Sequence, residues 1–533
     1  MQKLLLLGDE AIAQAAIDAG LSGIFSYPGT PSTEITEYIQ KSKEAKEKNI
    51  RSKWAANEKT AYEAAVGMSY AGKRTMTCMK HVGLNVAADP FMNSAITGAN
   101  GGLILVVADD PSMHSSQDEQ DSRHFGDWAM IPILEPSNQQ EAYDMVHYGY
   151  ELSERLGTPV MIRVTTRMAH SRSGVVRKAS CTQNELKLPA DKRQFILLPA
   201  NARRQYHTLI EKQPAFVNES ENSGFNHYID GNDKKYGIIT TGIAFNYLME
   251  NYPDRKCPYP VVKVTQYPLP YAMIEKLYNA CGEIMVMEEG QPLIENKING
   301  FLGKGKKVNG RMNGVLPREG ELSPAVVAKA LGLAVQPGSD IPSIVTSRPP
   351  ALCVGCPHID SYNALNEAMK EHGEGKVFAD IGCYTLGALP PFNAIYTTLD
   401  MGASITMAKG ASESGLFPAV AVIGDSTFTH SGMTGLLDAI NDGASLTVMI
   451  LDNSITGMTG GQISSATGRI ESICLGLGVE PEHLHVLNPL KKYHDENTAI
   501  IKKELAYKGV SVIIPRRDCI VAAARTRKET KKA

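Results

Sequence analysis

The run Ala419-Val420-Ala421-Val422-Ile423-Gly424-Asp425-Ser426, and the run Leu446-Thr447-Val448-Met449-Ile450-Leu451-Asp452 that ends at Asn453, 28 residues after Asp425, decide how this chain folds. Each is a short apolar stretch that reads as a buried strand, and the Gly-punctuated segment between them reads as a crossover helix, giving one βαβ unit. Parallel strands in such a unit release Asp425 and Asn453 at the same carboxyl edge, where α/β proteins bind ligands. A carboxylate, an amide oxygen and a nearby carbonyl, that of Ile455, are hard oxygen donors suited to Mg²⁺, which keeps phosphate oxygens among its ligands. The pattern predicts a metal-bridged diphosphate. An isolated Asp and Asn at strand ends also serve as plain turn formers.

The same alternation of short apolar runs with longer amphipathic stretches recurs along the chain, so the fold class is α/β, built as several domains with doubly wound parallel sheets. Strands are expected at 23–27, 103–108 and 159–164, with a helix over 33–48 and a polar loop over 109–127, which closes a first domain at 1–170. Residues 171–236 turn basic and then polar, with few core residues, and read as an insertion or linker. Strand-like runs at 237–241, 261–264 and 284–288 give a smaller α/β domain over 237–334. A Pro- and Ser-rich linker follows at 335–350, then a third α/β domain over 351–533 with a frayed basic end at 525–532.

With 533 residues, several domains fit the length. Lys and Arg number 54 against 57 Asp and Glu, a net charge of −3, so nothing calls for nucleic acid or an anionic membrane. The longest apolar runs fall well short of the ~20 residues that span a bilayer, and Asp9 and Glu10 interrupt the N-terminal one, so a cytoplasmic protein is expected. Nine cysteines, an odd number scattered through a large chain, do not read as a disulfide framework.

Two further groups of residues bear on chemistry. Glu58 lies in Trp54-Ala55-Ala56-Asn57-Glu58-Lys59-Thr60-Ala61-Tyr62-Glu63-Ala64-Ala65-Val66-Gly67, a predicted helix rich in small residues. Cys353-Val354-Gly355-Cys356-Pro357-His358 is a single CxxC, which does not support a closed zinc ribbon. A redox dithiol and inert thiols both remain open for it. With Cys383 at a strand-to-loop switch and Cys519 just after a strand, four thiolates in one α/β block also suit a [4Fe–4S] cluster.

Taken together, these segments resemble the 2-oxoacid:ferredoxin oxidoreductases, most closely the large (alpha) subunits of the indolepyruvate ferredoxin oxidoreductase group. Beyond the Asp425–Asn453 pair, which matches the thiamine diphosphate signature with Ser426 where many members have Gly, the likeness rests on several ordered motifs. They are Tyr27-Pro28-Gly29-Thr30-Pro31-Ser32-Thr33-Glu34, Met79-Lys80-His81-Val82-Gly83-Leu84-Asn85, Ala108-Asp109-Asp110-Pro111, Ser115-Ser116-Gln117-Asp118-Glu119-Gln120-Asp121-Ser122-Arg123, the CxGCPH, and Asp452-Asn453-Ser454-Ile455-Thr456-Gly457-Met458-Thr459-Gly460.

The resemblance implies a pyrimidine-binding domain at 1–170, a transketolase-C-like domain at 237–334 and a diphosphate-binding domain at 351–533, with the cofactor between the first and third, across a subunit interface. By position, Glu58 is the carboxylate that meets the thiamine pyrimidine, and Asp425, Asn453 and the Ile455 carbonyl are Mg²⁺ ligands. Thr30 stands near the substrate carboxylate, and Lys80 and His81 face the reacting carbon. Gly355, His358, Gly424, Ser426, Thr456 and Gly457 line the cofactor motifs, with His430 close to them, and Cys353, Cys356, Cys383 and Cys519 hold the [4Fe–4S] cluster. The expected reaction is oxidative decarboxylation of an indolepyruvate-like aryl 2-oxoacid with coenzyme A, the electrons passing to ferredoxin. A non-oxidative thiamine-dependent decarboxylase or carboligase is the alternative. A separate small (beta) subunit is expected, in an α2β2 assembly. Large subunits of this type continue into a ferredoxin-like domain with two cysteine runs. This sequence ends 14 residues after Cys519, so another subunit or a soluble electron carrier is expected to take the electrons.

Overall fold

Every residue of the strand Leu103–Asp109 is buried, and its side chains alternate between two cores: Ile104, Val106 and Ala108 enter one, Leu105 and Val107 the other. Such a strand belongs inside a sheet covered on both faces. It is the centre of a seven-stranded sheet in the order Gln266–Tyr267, Ile133–Leu134, Val160–Thr165, Leu103–Asp109, Thr75–Lys80, Gly23–Ser26, Arg51–Trp54. All neighbours are parallel except Gln266–Tyr267, which runs antiparallel to Ile133–Leu134. The computed structural model describes residues 3–524, apart from 192, 302–305, 318–319, 336–337, 347–349, 399–400 and 414. The basic stretch 525–532 therefore lies outside the described residues. The chain forms two compact units, Met1–Ser339 and Asp340–Ala533. No helix among the described residues is long and apolar enough to cross a membrane.

In the first unit, the helices Gly8–Asp18 and Gln139–Leu156 cover one face of the sheet through Ile12, Ala15, Tyr143 and Val146. The opposite face packs on Phe91 and Phe216, and on Ile239, Val262 and Val286 of a second sheet. That second sheet has the order Val308–Asn309, Glu283–Met287, Tyr236–Thr241, Val261–Val264, His227–Ile229, with only the last strand antiparallel to its neighbour. The segment 237–334 therefore does not stand apart. It shares a core with the first sheet and contributes Gln266–Tyr267 to that sheet's edge.

Several local expectations are corrected. The segment 171–236, read as insertion or linker, is folded. Arg172–Val176 pairs antiparallel with Lys3–Leu7, and Pro199–Asn222 is a 24-residue helix burying Leu209, Phe216 and Ser220. The helix expected over 33–48 breaks at Ser42, whose extended backbone (φ −66°, ψ 126°) ends Thr33–Lys41 and whose hydroxyl accepts from Ala45 N to cap Lys43–Glu47. The helix expected over 54–67 begins at Glu58, because Asn57 takes an extended backbone and its side chain caps Thr60 N, while Trp54 ends a strand. The loop expected over 109–127 includes a helical turn at Arg123–Trp128, and Asp109, Asp121 and Arg123 are buried in ion pairs.

In the second unit, five parallel strands lie in the order Val377–Ala379, Val420–Gly424, Leu446–Leu451, Val510–Pro515, Leu484–Leu487. Alternation along Val420–Gly424 again divides two cores, Val420 and Val422 on one side and Ala421 and Ile423 on the other.

Candidate active site

In the first unit, Thr30, Glu58, Lys80 and His81 gather at the carboxyl edge of the seven-stranded sheet. Gly23–Ser26 pairs with Thr75–Lys80, so the loop after the first strand, which carries Thr30, lies beside Lys80 at the end of the second. The approach is close: a Cβ on Gly29 would sit 3.2 Å from Lys80 Cβ. Lys80 is buried and donates to the Ser115 carbonyl at 2.6 Å. Burial pulls its ammonium below the ordinary lysine range, and Asp110 and Asp118 oppose that pull. His81, fully buried, places Nε2 3.2 Å from Asp118 Oδ1, while its Nδ1 is buried with no hydrogen-bond partner among the described residues. Glu58 starts the helix Glu58–Tyr70, buried in its first turn. The helix His81–Val86 crosses it so closely that a Cβ on Gly83 would lie 2.6 Å from Glu58 Oε1. Only glycine allows the carboxyl to stand there.

In the second unit, register places Gly424 opposite Leu451, so Asp425 and Asn453 leave adjacent strand ends together. Asp425 is buried, and its Oδ2 has no hydrogen-bond partner among the described residues. Burial, then the charge of Asp452, pushes its carboxyl up to about 7. A buried carboxylate oxygen without a partner is costly, and a cation placed against it would remove the cost. The Asn453 amide donates to His358 Nε2 at 3.2 Å, and its Oδ1 accepts from Ile455 N at 3.2 Å. Burial drops His358 to about 4, so a neutral ring accepts that bond and fixes the direction of the Asn453 oxygen. Asp425 also opens the continuous helical run through Asn441, whose first-turn N–H groups suit an anion. The hydroxyls of Ser426 and Thr456 meet at 2.8 Å across the same edge, and His430, also buried, lies within the run and contacts Ser431 Oγ at 2.6 Å.

The four predicted cysteines converge here as well. Cys356 N bonds the Cys353 carbonyl at 2.9 Å around Gly355, whose φ of +82° closes the CxGC turn. Cys519 N donates to the Asn453 carbonyl at 3.2 Å, and a Cβ on Gly457 would lie 2.9 Å from Cys383 Sγ. Burial pushes Cys356 up to about 11, and Cys353 and Cys519 add to it. Burial raises Cys383 to about 12, and Cys356, Cys519, Cys353 and Asp425 add to it. Acids that raise one another in this way form a set that a cation stabilises in the deprotonated state.

Sequence reasoning missed the groups that hold these residues in place. Asp118 orients His81, the Ser115 carbonyl anchors Lys80, and Arg517 Nη2 donates to the Gly355 carbonyl at 3.2 Å. Asp118 and Ser115 stood inside a recognised motif without a role, and their roles depend on contacts over more than 30 residues.

Residues 14–226 match the family described as pyruvate flavodoxin/ferredoxin oxidoreductase, thiamine diphosphate-binding, and residues 380–513 match the C-terminal binding domain of thiamine pyrophosphate enzymes. Among curated proteins, the indolepyruvate oxidoreductase subunit IorA of Archaeoglobus fulgidus is 39% identical, covering 99% of this chain and 88% of its own length. The IorA subunits of Methanothermobacter thermautotrophicus and Pyrococcus abyssi are each 36% identical, covering 98% and 97% of this chain and 88% and 86% of their own. With such likeness along nearly its whole length, the chain belongs to the IorA family, the thiamine diphosphate-dependent alpha subunits of indolepyruvate ferredoxin oxidoreductases within the 2-oxoacid:ferredoxin oxidoreductases.

Proposed function

We propose that this chain carries the active site for oxidative decarboxylation of an indolepyruvate-like aryl 2-oxoacid. The 2-oxoacid and coenzyme A give acyl-CoA and CO₂, with two electrons and one proton released per turnover. The electrons leave through a [4Fe–4S] cluster to ferredoxin or another carrier, in a cytoplasmic α2β2 assembly with a separate small subunit. The observation that carries this reading is the convergence of Cys353, Cys356, Cys383 and Cys519 beside Asp425 and Asn453 in one unit.

When bound, thiamine diphosphate supplies the carbanion and the electron sink for loss of CO₂, and an iron–sulfur cluster takes electrons singly. Glu58 holds a proton at the pyrimidine ring, kept in place by the tight passage over Gly83. Asp425, Asn453 and the Ile455 carbonyl would hold Mg²⁺ for the diphosphate, and Gly424, Ser426, Thr456, Gly457, Gly355 and His358 would shape the surrounding cradle. The neutral His358 accepts from the Asn453 amide and fixes the direction of the Asn453 oxygen, which would serve as a metal ligand. Thr30 binds the substrate carboxylate. Lys80, anchored on Ser115, orients the substrate by charge, and His81, held by Asp118, positions a proton near the reacting carbon. The four thiolates hold the cluster.

Anaerobic co-purification with the small subunit tests the reading. Iron and sulfide near four each per chain, with dye reduction that needs both coenzyme A and indolepyruvate, is the expected result. Iron well below one cluster per chain, together with unchanged dye reduction in Cys353→Ala, would overturn the cluster assignment, and CO₂ release with no dye reduction would overturn the oxidative reading in favour of non-oxidative chemistry.

A further inference from the structure

Outside this site, the helices Gly8–Asp18, Thr33–Lys41 and Thr166–His170 bring Asp9, Glu34 and His170 together, with one ligating atom of each within 4.8 Å of the others. Asp9 and Glu34 come from first helical turns, and His170 ends its helix. Asp9 is 0% exposed, and neither of its carboxylate oxygens has a hydrogen-bond partner among the described residues; the buried Oε2 of Glu34 also lacks one. His170 Nε2 stands 3.7 Å from Glu34 Oε2, beyond hydrogen-bond length but close enough for an ion pair that raises His170 and lowers Glu34.

A carboxylate withdrawn from water with nothing to donate to it is one of the costlier things a fold can hold. Burial, then Glu34 and Glu10, accordingly push the Asp9 carboxyl well above the ordinary range. With Asp9 and His170 deprotonated, as metal ligands must be, the three side chains carry a charge of −2, which a divalent cation neutralises. One nitrogen and two oxygen donors also differ from the all-oxygen sets of Ca²⁺ and Mg²⁺ and suit zinc or manganese. Glu34 and His170 are partly exposed, at 38% and 36% of their side chains, which leaves a path for the ion and room for water ligands.

We propose that Asp9, Glu34 and His170 form a binding site for a divalent transition-metal ion of the zinc or manganese class. This site is distinct from the Mg²⁺ position at Asp425 and from the four cysteines. It ties the start of the first helix to the segment that follows the Thr30 loop and holds that loop's base in place.

Mn²⁺ is the probe, because it prefers oxygen and imidazole donors to thiolates. The full-length protein, stripped with chelator and free of thiamine diphosphate, is titrated with Mn²⁺ by electron paramagnetic resonance. One ion per chain is expected in the wild type and equally in Asp425→Asn, with affinity more than about tenfold weaker in Asp9→Asn and His170→Gln. The melting temperature should rise with Mn²⁺ in the wild type and in Glu37→Gln, one turn further along the helix, but not in His170→Gln. His170 is partly exposed, so its substitution is tolerated by the fold even if Asp9→Asn is not. No Mn²⁺ uptake by the wild type, uptake unchanged in His170→Gln, or uptake lost in Asp425→Asn would each overturn the proposal.

Discussion

At the scale of single residues, the candidate site residues of the two units rest on different physical devices. Glu58 is set by lack of space. The Gly83→Ala variant must place a methyl 2.6 Å from Glu58 Oε1, so the carboxyl has to move. Dye-reduction activity should fall at least about a hundredfold, since displacement by an ångström near the chemistry costs that much, while the circular dichroism spectrum stays native. Activity within a fewfold of wild type would show that Glu58 does not need this position. Asp425 is set by burial beside Asp452, with one carboxylate oxygen lacking a partner among the described residues. Its carboxyl sits near 7 in the folded chain, above the ordinary value of about 4. Between these values the folded state keeps a proton that the unfolded state has released, so its contribution lowers stability as pH rises and levels off above about 7. In Asp425→Asn this penalty is absent. The melting temperature of the variant minus that of the cofactor-free wild type should therefore grow from pH 5 to pH 8, while Mg²⁺-dependent thiamine diphosphate binding is lost. A pH-independent difference would refute the account. Asp425 and the cysteines were legible in the sequence because their spacing from strand ends is local. The dependence of Glu58 on Gly83 was not, since it arises only when two helices cross.

At the scale of elements, what the sequence hid was helix packed by a narrow stripe. Pro199–Asn222 reads as polar linker because only Leu209, Phe216 and Ser220 are buried along its 24 residues, at spacings of seven and four. Phe216 is 1% exposed in the core that the two sheets share. Phe216→Ala should therefore cost about 3–5 kcal/mol, read as a lower midpoint in urea unfolding of the full chain. A removable insertion would give a change near zero. Composition argued for an insertion or linker in this segment, yet a few large side chains docking on an existing core outweighed it. By contrast, the strands Leu103–Asp109, Val420–Gly424 and Leu446–Leu451 were legible because burial on both faces leaves an uninterrupted apolar run.

At the scale of the whole molecule, the first compact unit extends past the boundary at 236 that the sequence pattern implied, and buried charge explains why. Arg163, on a strand of the first sheet, bonds Asp109 Oδ2 at 2.8 Å, Glu135 Oε1 at 2.6 Å and the Glu289 carbonyl at 2.9 Å. Arg123 bonds Asp121 at 2.5 Å, Glu288 Oε2 at 3.0 Å and the Tyr267 hydroxyl at 3.2 Å. Glu288 and Glu289 follow the strand Glu283–Met287 of the second sheet, so both arginines join the two sheets through partners more than 120 residues away. No local pattern in the sequence announces such pairs. Each arginine is fully buried, and its removal leaves carboxylates without a counter-charge. Arg163→Met should therefore destabilise the first unit by about 3–5 kcal/mol, measured in urea with circular dichroism. The same network makes a prediction about dissection. A fragment of residues 1–236 leaves Arg123 and Arg163 short of Glu288 and Glu289 and exposes one side of the shared core, so it should not unfold cooperatively. A fragment of residues 1–339 keeps both sheets and should show a single sigmoidal transition. A cooperative transition in 1–236, or two separated transitions in 1–339, would mean that the two sheets are independent folding units and that the buried arginines decorate their contact without joining them.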